Sequence, residues 1–213
     1  PNRVSSVKDQ LQCSSSWAFA AIGVLEGQQV VRNFTRELID LSAQDLVDCS
    51  STNQNCVFGR AHFAFADISR MQGVNSQSDY PYEGSFNSDR GCRFKKDQVV
   101  MSDRGSLYFY NDEAIIQKLV AQFGPVAVSV RAEPWIFYKT GIFDDATECV
   151  YKDTDHQALV VGYGTDPKLG DYWIIKNSWS KNWGEQGYIR LRRGKGMCGI
   201  GKESAIPKFD KTE

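Results

Sequence analysis

The hydrophobic period changes near the middle of this chain, and that change restricts the fold more than any other feature. Residues 16–31, SWAFAAIGVLEGQQVV, are apolar nearly all round for their first ten positions. A helix without a polar face has to be buried, so this segment is expected as the spine of a lobe. LSAQDLVDC (41–49) offers Ser42 as an N-cap, with Asp45 three residues on. GRAHFAFADISRM (59–71) carries apolar residues at helical spacing, and SDYPYEGSF (78–86) reads as a loop. After one more helical segment, DEAIIQKLVAQF (112–123), the pattern turns to short β-branched and aromatic runs. These are PVAVSVRA (125–132), HQALVVGYG (156–164), DYWIIKNSW (171–179) and GYIRLRRG (187–194). Helices followed by strands imply an α+β protein, with a helical lobe over 1–104 and a β-sheet lobe over 105–213.

The formal net charge of −1 over 213 residues gives no electrostatic reason to expect nucleic acid or an anionic membrane as partner. No apolar run approaches the ~20 residues of a membrane span. No signal-peptide pattern opens the sequence, so a secreted chain is expected to be a processed form. The six cysteines, Cys13, Cys49, Cys56, Cys92, Cys149 and Cys198, are an even set. An even set points to three disulfides and a secreted or lysosomal, oxidising compartment, with six buried thiols as the alternative. No close cysteine pair accompanies either histidine, so neither a zinc site nor any other metal or cofactor is expected. Asn33 opens an N-glycosylation sequon, NFT.

The polar residues that could carry chemistry lie at element ends. Gln10 precedes the apolar helix and Ser16 starts it. His156 opens a strand with Asp155 before it, and Asn177 ends another, followed by Ser178 and Trp179. A residue at a helix N-terminus facing a histidine, with an amide to orient that histidine, is the arrangement of nucleophilic acyl transfer. Gln10 could donate to an oxyanion. The plainer reading of Ser14 to Ser16 is a helix cap worth about 1 kcal/mol. His62 is expected to have no chemical role.

In order along the chain, VKDQ…C…SWAFA (7–20), LSAQDLVDCS (41–50), YPYEG (80–84), GPVAVSV (124–130), DHQALVVGYG (155–164), KNSWSKNWGEQGYIRLRRG (176–194) and MCGIGKE (197–203) resemble the papain family of cysteine proteases, in its cathepsin L-like form. The resemblance covers essentially the whole chain. His156 lies about 140 residues beyond Ser16 and Asn177 about 160, close to the family's spacing. It implies a two-lobed fold, with a helical left lobe, an antiparallel β-barrel-like right lobe and the active site in the cleft between them. It makes Gln10 the oxyanion donor, His156 the acid–base, Asn177 its orienter and Trp179 a shield over that pair. It implies disulfides Cys13–Cys56, Cys49–Cys92 and Cys149–Cys198.

The sequence departs from the family at the centre of that site. Ser16 occupies the nucleophile position, where the family has cysteine. Beside a histidine at a helix N-terminus, a thiol drops from a pKa of about 8.5 to about 3–4. A hydroxyl, with a proton affinity nearer that of water (pKa about 16), does not ionise there. Leu11 and Ser14 stand where glycine is usual. Phe58 precedes Gly59 in the segment that lines the cleft, Gln157 follows His156 where a small residue is usual, and Glu203 matches a pocket-floor position. Peptidase activity is therefore expected several orders of magnitude below the family's. The resulting reading is a monomeric homologue that binds a peptide or protein ligand in the cleft, its own propeptide or a protease inhibitor among them. The alternatives are a cysteine endopeptidase carrying an introduced serine, and a weak serine-based hydrolase or a role like that of the silicateins, which resemble papain and also place serine at this position.

Overall fold

The fold comes from a computed structural model whose described residues are 3–86, 91–149 and 153–210. The apolar segment forms α1 (Ser16–Val31), with thirteen of its sixteen residues buried. It packs on α2 (Ala43–Cys49) and α3 (Ala61–Met71) on one side and on the sheet on the other. Gly23 allows the close approach to the sheet: a Cβ there would stand 2.9 Å from Leu159 Cδ2. Ser42 caps α2 as its sequence implies, accepting from Asp45 N. The two-stranded β1 (Val74–Asn75) and β2 (Val99–Met101) pair lies beyond α3.

A seven-stranded sheet makes up the second half. In chain order its strands are β3 (Ser106–Tyr110), β4 (Val126–Val130), β5 (Ile142–Phe143), β6 (His156–Asp166), β7 (Gly170–Lys176), β8 (Tyr188–Arg192) and β9 (Glu203–Pro207). They lie side by side as β3-β9-β4-β6-β7-β8-β5, antiparallel except for β5 on β8. Helix α4 (Glu113–Phe123) begins at Asp112, whose side chain accepts from Ile115 N. The expected α+β class is the observed one. Two segments not read as strands, β3 and β9, pair with each other across about a hundred residues of sequence.

Strand alternation sorts the sheet between two cores. Ala127 of β4, Leu159 of β6 and Ala205 of β9 pack with α1, α2 and α3. Their neighbours Val126, Val128, Val130, Ala158, Val160 and Ile206 turn to a second core around Trp135 and Trp173. The inner strands therefore form a wall with apolar cover on both faces, and the element ends beside α1 gather at one edge of it.

Three disulfides, Cys13–Cys56, Cys49–Cys92 and Cys149–Cys198, close separations of 43, 43 and 49 residues. Chain-entropy accounting assigns each about 4 kcal/mol. The N-terminal segment is tied to the second half through backbone bonds from Gln10 N to Ser178 O and from Ser180 N to Lys8 O. A buried polar chain reinforces this tie: Lys176 Nζ donates to Ser5 Oγ at 2.8 Å, and Ser5 donates to Glu26 of α1. Burial pushes the Glu26 carboxyl up and Lys176 down to about 8.

Asp103, between β2 and β3, is buried and accepts from Gly105 N, while its Oδ2 has no hydrogen-bond partner. Burial raises its pKa from 3.8 to about 8. The folded chain then keeps a proton that the unfolded chain releases, so stability falls as pH rises through that window. Asp103→Asn is expected to reduce the loss of stability between pH 5 and pH 7.5, measured by urea unfolding at both values. An unchanged difference would show that Asp103 titrates normally.

Candidate active site

Four element ends meet beside the N-terminus of α1. Ser16 is its first residue, buried, at the end where the backbone N–H groups and the dipole favour negative charge. Its N-cap is Ser15, and here the capping expectation fails. Ser15 makes no side-chain cap, because its hydroxyl lies 2.7 Å from Tyr82 Oη, which donates in turn to Gln10 O. Ser16 Oγ accepts from the backbone N–H of Gln157 at 3.2 Å. No hydrogen bond joins it to the His156 ring among the described residues.

His156 is the first residue of β6, and Asn177 follows directly on β7 rather than ending that strand. The two strands are antiparallel neighbours, which brings His156 Nε2 to 2.7 Å from Asn177 Oδ1. Because Oδ1 is an acceptor, Nε2 carries the hydrogen and Nδ1 is left as the basic atom of the ring. Burial lowers the pKa of His156, partly opposed by the Asn177 bond and by the nearby Asp155 carboxylate. Asp155 itself accepts from Ala132 N at 2.7 Å, so it anchors the strand end. The Trp179 ring lies against the imidazole, with centroids 5.0 Å apart.

Gln10 is held from both sides. Its Oε1 accepts from Ser178 Oγ at 2.7 Å and its Nε2 donates to Cys13 O at 2.9 Å. Leu11, in the left-handed region with φ 54°, points its side chain outward, 58% exposed. A cavity of about 70 Å³ runs past Ser14, Ser16, Val57, Phe58, Arg60 and His156. Gly59 is buried beneath it, while Phe58 is exposed at its rim. Gln157 turns its amide to Ser129 and to the N–H of Ala61, and Glu203 is paired with Arg60. The site thus holds a neutral imidazole with a free basic nitrogen, a hydroxyl at a helix N-terminus and amide donors nearby.

The sequence model of the papain family cysteine proteases matches residues 1–208. The chain belongs to the papain family. It is 41% identical over 212 residues to procathepsin L of Rattus norvegicus, covering 96% of this chain and 62% of that protein. It is 41% identical over 210 residues to a cathepsin L-like protein of Caenorhabditis elegans, covering 96% of this chain and 60% of that one. The chain thus spans about 60% of the length of the curated relatives it matches. The solved structure of digestive procathepsin L 3 from Tenebrio molitor larval midgut superposes with a TM-score of 0.90 at 42% identity. That match covers 98% of this chain and 67% of that one.

Sequence reasoning missed Arg60, Ser129, Thr154, Tyr82 and the hold of Ser178 on Gln10. Arg60, Thr154 and Ser178 adjoin site residues in sequence, but their partners Glu203, Arg60 and Gln10 lie 94 to 168 residues away, so the sequence pattern gives no sign of these contacts. Among the described residues no group of three or more His, Cys, Asp or Glu could hold a metal.

The His156–Asn177 bond has a consequence that can be measured directly. The chain has two histidines, so its imidazole resonances are simple to follow in an NMR titration. Both rings are expected to titrate below the ordinary 6.5, since burial lowers each. Asn177→Ala should move His156 lower still and leave His62 in place. An unchanged His156 would show that Asn177 does not support the imidazolium.

Proposed function

We propose that this chain is a papain-family protein that binds peptide in the cleft beside α1 without cutting it. Ser16 takes the nucleophile position, His156 the acid–base position, Asn177 the orienting position and Gln10 the oxyanion position. The observation that carries this reading is that all six cysteines are in disulfides, while a hydroxyl begins α1 beside the His156–Asn177 pair. Burial makes the His156 ring a weaker base, and the amide rather than carboxylate behind it stabilises an imidazolium less; both disfavour removal of the Ser16 proton. The two cores support a division into lobes over 1–104 and 105–213. The ligand is a peptide or protein segment, the chain's own propeptide or an inhibitor included, and the chain acts as a monomer. The disulfides support a secreted or lysosomal setting, and Asn33, exposed beyond α1, is the glycan site.

The intact His156–Asn177 and Gln10–Ser178 bonds favour a second reading, a cysteine endopeptidase carrying a serine introduced at 16. Fluorogenic dipeptide substrates test the proposal on the chain as it stands and on Ser16→Cys. Turnover by the unaltered chain that vanishes in Ser16→Ala would overturn it.

A further inference from the structure

Strand β3 is one edge of the seven-stranded sheet and, among the described residues, pairs only with β9. Its five residues, Ser-Leu-Tyr-Phe-Tyr, include no charge, proline or glycine, the usual guards of an open edge. Leu107, Tyr108 and Tyr110 are exposed. The bonds just beyond its two ends fix which backbone groups face out. Lys208 N donates to Gly105 O at 2.8 Å, and Asn111 N donates to Lys202 O at 3.1 Å. Inward bonding in an antiparallel ladder recurs at every second residue. Leu107 and Phe109 therefore bond to β9, while Ser106, Tyr108 and Tyr110 turn their N–H and C=O groups outward. Pro207 stands opposite Ser106, where its missing N–H costs β3 no bond. The Tyr108 ring lies 4.4 Å from the rings of Tyr110 and His62, so these tyrosines share the face toward α3. Phe109, on the other face, packs on the second core.

We infer that two copies of this chain pair through β3, antiparallel about a twofold axis at Tyr108. That register is self-complementary. It sets Tyr108 against its own copy and Ser106 against Tyr110 of the second copy, so every outward N–H meets an outward C=O. On the other face Leu107 meets Phe109 of the second copy, an apolar cross-strand pair. Charge selects the same orientation. Arg104 precedes the strand and Asp112 follows it, so an antiparallel copy brings opposite charges together where a parallel one would align like charges. Both residues are engaged within their own chain, Arg104 with Asp210 and Asp112 with Ile115 N, so they steer the register rather than clasp the partner. The opposite edge, β5, has only two residues. Pairing through β3 thus uses the long edge of each copy and stops at two. A five-residue strand pair belongs to the smallest interfaces, under about 1,200 Å². The dilute chain is therefore the monomer that binds in the cleft, and pairing appears at high concentration. The inference does not depend on what the cleft binds.

Sedimentation velocity tests the pairing on the full chain from about 1 µM to about 500 µM. The chain is expected to pass from monomer to dimer over that range. Tyr108→Lys, which sets two like charges on the axis, is expected to raise Kd at least about tenfold. Cross-linking tests the register, and serves alone if Tyr108→Lys does not fold. All six cysteines are in disulfides, so an added one is the only free thiol. Residues paired as Tyr108 is with its copy have Cα atoms about 5.5 Å apart, within disulfide reach. Tyr108→Cys is therefore expected to give a covalent dimer under mild oxidation. Leu107→Cys, whose copies sit diagonally across the pair and beyond about 7 Å, is not. Monomer at every concentration would overturn the inference. So would a Kd that Tyr108→Lys leaves unchanged, equal cross-linking of the two cysteine variants, or species that keep growing past a dimer, the mark of open-ended edge stacking.

Discussion

Ser16→Cys is expected to give a thiol whose alkylation rate by iodoacetamide stays nearly level from pH 8 down to about pH 5. A free cysteine, with a pKa of about 8.5, loses roughly tenfold per unit over the same range. The level profile is the proper readout, because a low-pKa thiolate is also a weaker nucleophile and its absolute rate rises only modestly. The physical basis is the N-terminus of α1 and the free Nδ1 of a ring held through Nε2 by Asn177. Oxygen at the same position cannot use that field, since the stabilisation falls far short of the gap between a hydroxyl and neutral pH. His156 supplies a second check. Burial holds its pKa low in the Ser16 chain, and an adjacent thiolate should carry it above 6.5 in the variant. Small-peptide turnover by the unaltered chain should lie at least about 10³-fold below that of the variant. A profile that falls like free cysteine would mean that Ser16 is not placed for ion-pair chemistry at all.

The sequence made the helices legible because burial of α1 on all sides leaves a continuous apolar stretch, and because Ser42 and Asp112 announce their caps locally. It made β4, β6, β7 and β8 legible through β-branched and aromatic runs bounded by turns. Strand β9, Glu-Ser-Ala-Ile-Pro, carries no such run; its identity comes from β3 and β4 on either side. The same division holds at the site. Ser16, His156 and Asn177 could be placed because each sits at an element end that the pattern marks. Glu203 was read as the floor of a pocket, but its partner could not be foreseen. Arg60 lies 143 residues away in sequence, inside a segment that reads only as a helix start. Ser15 shows the converse: its local pattern implies a cap, and a tyrosine 67 residues downstream claims the hydroxyl.

Gly59→Ala is expected to destabilise the chain by about 1–3 kcal/mol and to loosen the site with it. A Cβ at position 59 would stand 2.4 Å from Trp17 Cγ and 2.5 Å from its ring neighbours. Trp17 cannot give way cheaply. It is fully buried, its Nε1 donates to Asn55 O at 3.1 Å, and it directly follows Ser16 in the first turn of α1. The other side of the contact is no freer, because Cys56, three residues before Gly59, is tied through its disulfide to Cys13, three residues before Ser16. Relief must therefore come from displacing the loop that carries Phe58 or the helix end that carries Ser16. Gly162 of β6 is the control: its added Cβ would meet Ile174 at 3.4 Å, an ordinary contact, and Gly162→Ala should cost under about 1 kcal/mol. Urea unfolding reads the stability, and the alkylation profile of Ser16→Cys/Gly59→Ala reads the site. If Gly59→Ala proved as mild as Gly162→Ala, the close approach of the loop to Trp17 would not be what fixes the start of α1. A stability loss with an unchanged alkylation profile would place the displacement in the loop and leave the helix end where it is.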